Sequence, residues 1–125
     1  MLAYMLVVAV AFGAQDAPGA TPTVLALSEH GSTRGTAYAA ANKIVTLDGK
    51  THAAWLDSVS ITRICTYAHE TGELSEPVTL GEGHDNHGGP ALCADSQGYL
   101  HVVFGPHHHP FQYRRSVNPN DAGEW

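Results

Sequence analysis

Positive charge is scarce in this chain. Of 125 residues only six are Lys or Arg, against twelve Asp or Glu, for a formal net charge of −6. Nucleic acids and acidic membrane surfaces both reward a basic face, so neither is expected as a partner. An anionic ligand would need a local basic patch, and Arg114 and Arg115 beside the histidines at 107, 108 and 109 supply one.

Long apolar runs are also lacking. The only candidate, residues 2–12, is too short to span a bilayer comfortably and has the length of a signal peptide. Ala11 and Gly13 put small residues at the −3 and −1 positions of a cleavage before Ala14. Residues 1–13 are therefore expected to be a signal peptide and 14–22 a linker. On that expectation the mature protein is secreted or periplasmic and free of the membrane after cleavage. No Lys or Arg precedes the run, so a start further upstream is an open alternative. Cys65 and Cys93 fall on non-equivalent strands of two repeat units (below), and two separately buried thiols are expected rather than a bridge.

No segment carries a helical period. Instead the chain repeats itself. With a shift of 49 residues, "LDGKTHAAWLD" at 47–57 falls on "SQGYLHVVFGP" at 96–106, so that Gly49 meets Gly98, His52 meets His101 and Trp55 meets Phe104. A period of about 40–50 residues, made of short strands with polar Gly-bearing turns, is the pattern of propeller blades. Unit one, at about 38–80, gives strands at 38–46, 51–56, 61–67 and near 77–80. Unit two, at about 84–125, gives 88–94, 99–105 and 111–117 and lacks a fourth strand. β-Branched and aromatic residues fill these runs, while Gly, Asp, Asn and Pro fall between them. The expected fold is all-β, a β-propeller of four-stranded antiparallel blades spanning 23–125, of which this chain holds about two. Two blades cannot close a ring, so the chain reads as the front end of a larger protein.

Two histidine clusters stand out, "GHDNHGG" at 83–89 and "PHHHP" at 106–110. Chain direction alternates in a blade, so the loop before its first strand and the loop joining its second and third open onto one face. If Ala94 pairs with Tyr99, His87 falls opposite Pro106 and beside His107, within the ~5 Å of cross-strand neighbours. His52 and His101 are repeat-equivalent and are expected to be structural. His87 and His107 shift back onto Tyr38 and Ser58, so the scaffold does not demand histidine at either place.

The run "HDNHGGPALCADSQGYLHVVFGPHHHPFQYRRS" resembles the bacterial neuraminidase repeat (BNR-4) family, which includes β-propeller polysaccharide lyases of the ulvan lyase kind. Asp85, Asn86 and His87 before an apolar strand carry the resemblance. So do "DSQGYLHV" and the run of His107, Pro110, Tyr113, Arg115 and Ser116. The spacing of 20 between His87 and His107 matches the active-site histidine pair of those lyases. The resemblance implies further site residues, a Tyr and an Arg, from later blades. The sialidase Asp-box does not occur.

The resemblance thus implies β-elimination on a uronic-acid-containing polysaccharide, with an anionic polysaccharide as partner. A lyase must acidify and remove the proton beside a carboxylate, then protonate the leaving oxygen. Histidine suits this work because its ordinary pKa lies near 6.5. His87 and His107 are the expected catalytic pair, with Asn86, His108, His109, Tyr113 and Arg115 contacting substrate. Other functions remain open: a non-catalytic carbohydrate-binding propeller, or a glycoside hydrolase or sialidase-like enzyme. No cofactor is expected, although a structural zinc or calcium ion among His84, Asp85, His87 and the triple histidine is a rival use of the cluster.

Overall fold

The computed structural model describes residues 6–8, 23–38 and 40–125. All regular structure among them is β-strand, and every pairing is antiparallel. No helix among the described residues is long and apolar enough to cross a membrane. The expected linker lies outside the described residues. So does the expected signal peptide, except for β1 (Leu6–Val8), which pairs with β2 (Leu25–Ser28).

The first blade is a meander of β3 (Ile44–Leu47), β4 (Lys50–Asp57) and β5 (Ile61–Ala68). The far edge of β5 is shared by two short strands. β6 (Glu73–Leu74) pairs with Tyr67 and Ala68, and β7 (Val78–Glu82) pairs along residues 61–64. The outer strand of the blade is thus split around Pro77, which has no N–H for a ladder. Asp48 and Gly49, at φ of +42° and +75°, close the β3–β4 hairpin as a two-residue turn, as an Asp-Gly pair between alternating runs predicts. The second blade holds β8 (Ala91–Ala94), β9 (Leu100–Phe104) and β10 (Gln112–Arg115). The leading strands of both blades begin later than expected, at Ile44 rather than 38 and at Ala91 rather than 88. Tyr38 at φ +65° breaks the extension in one case, and Pro90 in the other.

The β8–β9 register also differs by one residue from the expected one. Ala94 pairs with Leu100, not Tyr99. The Asp95 carboxylate accepts the backbone N–H groups of Gln97 and Tyr99 and wraps Tyr99 into the turn. The register does not run on past β8: Gly105 N–H donates to Gly88 O at 2.9 Å, one residue out of step with the Ala91–Val103 pair.

The main core lies between the blades. Leu92, Leu100, Val102 and Phe104 of blade two meet Ala54, Ile64 and Leu80 of blade one, all at most 3% exposed. The other face of β4 carries Ala53 and Trp55 onto Leu27 of β2 and Cys65 of β5. Strand β4 is therefore sandwiched, which explains why seven consecutive residues from Thr51 to Asp57 are buried without alternation. Trp55 and Phe104, matched by the repeat, occupy equivalent places in the two layers.

The face of blade two turned away from blade one is open. Ala91, Cys93 and Tyr113 are exposed there. This corrects the expectation of two buried thiols. Cys65 is buried, and burial pushes its pKa up to about 12, whereas Cys93 is exposed on the uncovered face; both are free. The same asymmetry separates the two equivalent histidines. His52 is fully buried, with Nδ1 on Thr66 Oγ1 at 2.9 Å and Nε2 on Asn120 Oδ1 at 2.8 Å, the latter from blade two. His101 is half-buried and bonds Tyr113 Oη and Asp95 Oδ2 within its own blade.

Burial lowers the His52 pKa below its ordinary value of 6.5. A group that resists protonation only in the folded state makes stability fall as pH drops beneath that ordinary value. Thermal melts from pH 8 to 5 are expected to show this loss. The His52→Gln variant should melt lower at pH 8 and show a shallower pH slope. A slope identical to the parent's would rule His52 out as its source.

Candidate active site

The loop at 83–89 leads from β7 into β8, and the loop at 105–111 joins β9 to β10. Both open at the same end of the blades, beside the β4–β5 turn. Glycine makes their close approach possible. Gly105 N–H donates to Gly88 O at 2.9 Å, and a Cβ placed on Gly88 would lie 2.8 Å from Gly105 Cα. That obstacle is backbone, so no side-chain adjustment relieves it. Gly88→Ala is expected to push the loops apart, costing about 1–3 kcal/mol by overpacking and uncoupling the histidines they carry. A denaturant midpoint unchanged from the parent would contradict it.

Asp85 organises what the glycines bring together. Its Oδ1 accepts the backbone N–H of His87 at 2.8 Å, and its Oδ2 accepts Nδ1–H of His107 at 2.5 Å. The His87 N–H, and then the His107 ring, hold the Asp85 pKa down at about 2, so this carboxyl is an anion throughout the neutral range. An ionised carboxylate can only accept, which fixes the proton of neutral His107 on Nδ1 and leaves a lone pair on Nε2. The His87 ring stacks on His107 with centroids 4.3 Å apart. Its Nδ1, out of contact with solvent, faces Asp85 Oδ1 at 3.2 Å. The three side chains are 35–39% exposed, open enough to meet a ligand.

The triple histidine is not a strand. His108 adopts φ +59°, and this left-handed residue sends its neighbours to different partners. His107 stacks on His87, and His109 stacks on His84 with centroids 3.4 Å apart. His108 tilts against His107 at 4.3 Å.

The remaining sequence-derived residues are dispersed. Asn86 Nδ2 donates to Thr33 Oγ1 at 3.1 Å and is tied to the loop before blade one. Tyr113 lies mid-strand, with its hydroxyl on His101. Arg115 pairs with His101 across the ladder and stacks over the Tyr99 ring at 4.1 Å. It sits at the opposite end of the hairpin from the histidines, roughly 10 Å down the strand at ~3.3 Å per residue.

Another cation lies closer to the cluster. Arg34, next to Thr33, bonds Tyr38 Oη through Nη1 at 3.3 Å, and the Tyr38 ring approaches Gly89 to within 3.7 Å of where a Cβ would stand. Both residues are exposed. The repeat pointed there, since Tyr38 is the position equivalent to His87. Arg34 itself had no signal, because nothing local ties residues 33–38 to the loop of blade two.

Residues 36–125 match the family model described as BNR repeat-containing family member. The chain belongs to the BNR repeat-containing family. Among curated relatives of this BNR chain, an ulvan lyase from Nonlabens ulvanivorans is 30% identical over 62% of the chain and 22% of its own length. An ulvan lyase-PL25 from Pseudoalteromonas sp. (strain PLSV) is 24% identical over 62% of the chain and 21% of its own. An ulvan lyase from Alteromonas sp. (strain LOR) is 35% identical over 35% of the chain and 11% of its own. The chain thus spans about a fifth of the length of the first two. Both blades and both histidine loops fall inside the family match.

Proposed function

We propose that this BNR chain is part of a secreted polysaccharide lyase that cleaves a uronic-acid-containing polysaccharide by β-elimination, with His87 and His107 as its proton-transfer pair. The observation that carries this is the Asp85–His107–His87 stack. A carboxylate too acidic to titrate holds one imidazole in the tautomer a general base needs, and a second imidazole lies against it.

In the proposed reaction His107 Nε2 takes the proton on the carbon beside the uronate carboxylate. The electron pair forms the carbon–carbon double bond, and the glycosidic oxygen leaves with a proton from His87. Arg34, with Tyr38, neutralises the carboxylate and so acidifies the proton. The names of the relatives support an anionic polysaccharide as substrate. A glycoside hydrolase is less well supported, because the loop's carboxylate, Asp85, has both oxygens engaged and too low a pKa to donate a proton.

The test is ultraviolet absorbance of the unsaturated product, using the complete protein on ulvan-like and other uronate polysaccharides. A neutral glucan serves as control. Rising absorbance with the uronate polymers alone is expected. Saturable binding to them with no absorbance change would instead make the protein a sugar-binding propeller.

A further inference from the structure

We propose that Asp85, His87 and His107 together form a binding site for a borderline-soft divalent cation such as Zn²⁺, and that its occupation and proton transfer by the histidine pair exclude one another. The three residues offer one donor atom each, and these atoms all lie within 4.8 Å of one another. They are the chain's only such group among the described residues.

Two features favour a cation beyond mere clustering. The first is Nδ1 of His87, which is out of contact with solvent and already faces a carboxylate oxygen, Asp85 Oδ1. A cation between them would be held by both the nitrogen and the carboxylate. The second is spacing. Four-coordinate zinc with bonds of about 2.0–2.2 Å needs neighbouring ligand atoms about 3.3–3.5 Å apart. His87 Nδ1 and Asp85 Oδ1 already stand 3.2 Å apart. His107 Nδ1 and Asp85 Oδ2, at 2.5 Å, are held by the proton between them. The ion takes that proton's place, the pair opens by about 1 Å, and the ring proton of His107 moves to Nε2 through solvent. Two imidazoles and one carboxylate suit zinc better than calcium or magnesium, which prefer oxygen. Three protein ligands leave a fourth position to water.

The cation inference rests on the lyase reading only for its effect on turnover. With the ion bound, His107 Nε2 carries a proton and cannot act as a base.

The experiment is calorimetric titration of the chain with zinc chloride alone, without polysaccharide. The fold of each variant is checked by far-ultraviolet circular dichroism. One Zn²⁺ per chain is expected, with affinity at least about 10-fold weaker in His87→Gln, His107→Gln and Asp85→Asn. His30→Gln, at an exposed histidine outside the three-residue group, should bind as the parent does. Calcium chloride should give no comparable heat. No zinc binding by the folded parent would overturn the proposal, as would loss of affinity confined to His84→Gln and His109→Gln, which would move the site to the other stacked pair. If zinc binds as expected and the uronate polymers are not cleaved, the lyase reading fails while the cation site stands.

Discussion

Replacing His107 by alanine in the complete protein is expected to slow formation of the unsaturated uronate product by about 10²–10⁴-fold, the range for removal of a general acid or base. His87→Ala should fall in the same range. Asp85→Asn tests the cause, since it keeps the shape of the side chain but removes the charge that confines the His107 proton to Nδ1. A neutral amide can present its N–H₂ to Nδ1 and reverse the tautomer, so a loss approaching that of His107→Ala is expected. His109→Ala, which removes the stack on His84, should mainly raise the substrate concentration needed, whereas Arg34→Ala, which removes the charge that acidifies the substrate proton, should lower the maximal rate. If His87→Ala and His107→Ala both cleave at the parental rate, neither histidine is a proton-transfer group. The assay is initial rate against substrate concentration, which separates the two classes of loss.

Removing Phe104 should cost more stability than any other single truncation between the blades. Its ring is fully buried in the cluster that also holds Leu92, Leu100 and Ile64, and it lies over Gly81, where a Cβ would approach it to 2.8 Å. Phe→Ala at such a site costs about 3–5 kcal/mol, against about 5–15 kcal/mol for the stability of a whole domain. Urea unfolding followed by tryptophan fluorescence should show a much lower midpoint, or no folded baseline at all. Val117→Ser, at a side chain that is 54% exposed, should move the midpoint by less than about 0.5 kcal/mol. A Phe104→Ala midpoint as close to the parent's would mean that the blades are held together elsewhere.

The repeat made much of this fold legible. The alternation of "LDGKTHAAWLD" and its echo 49 residues later carry strand period, turn chemistry and the pairing of Trp55 with Phe104, and all three are local properties of the chain. Strand direction alone put both histidine loops on one face. Locality also explains the errors. Whether Tyr99 closes the turn or starts β9 depends on one side chain, because the Asp95 carboxylate competes with the ladder for its N–H. Beyond β8 the loops leave that register, with Gly105 N–H on Gly88 O, so the stacking of His87 on His107 is a property of the loops and not of the ladder.

What the sequence by itself determined is the blade and the coming together of its histidines, since both follow from period and direction. The tertiary structure alone decided the chemistry within the cluster. Only a folded loop shows that Asp85 has both oxygens engaged, that His108 in a left-handed conformation deals His107 and His109 to different partners, and that Arg115 lies at the far end of its hairpin. Arg34 reaches the neighbourhood through the Asn86–Thr33 contact, 53 residues apart in the chain, and His52 is buried while its equivalent His101 is not, because blade two covers the first and no described strand packs over the second. Such contacts depend on which surfaces meet in space, and no periodicity along the chain encodes that.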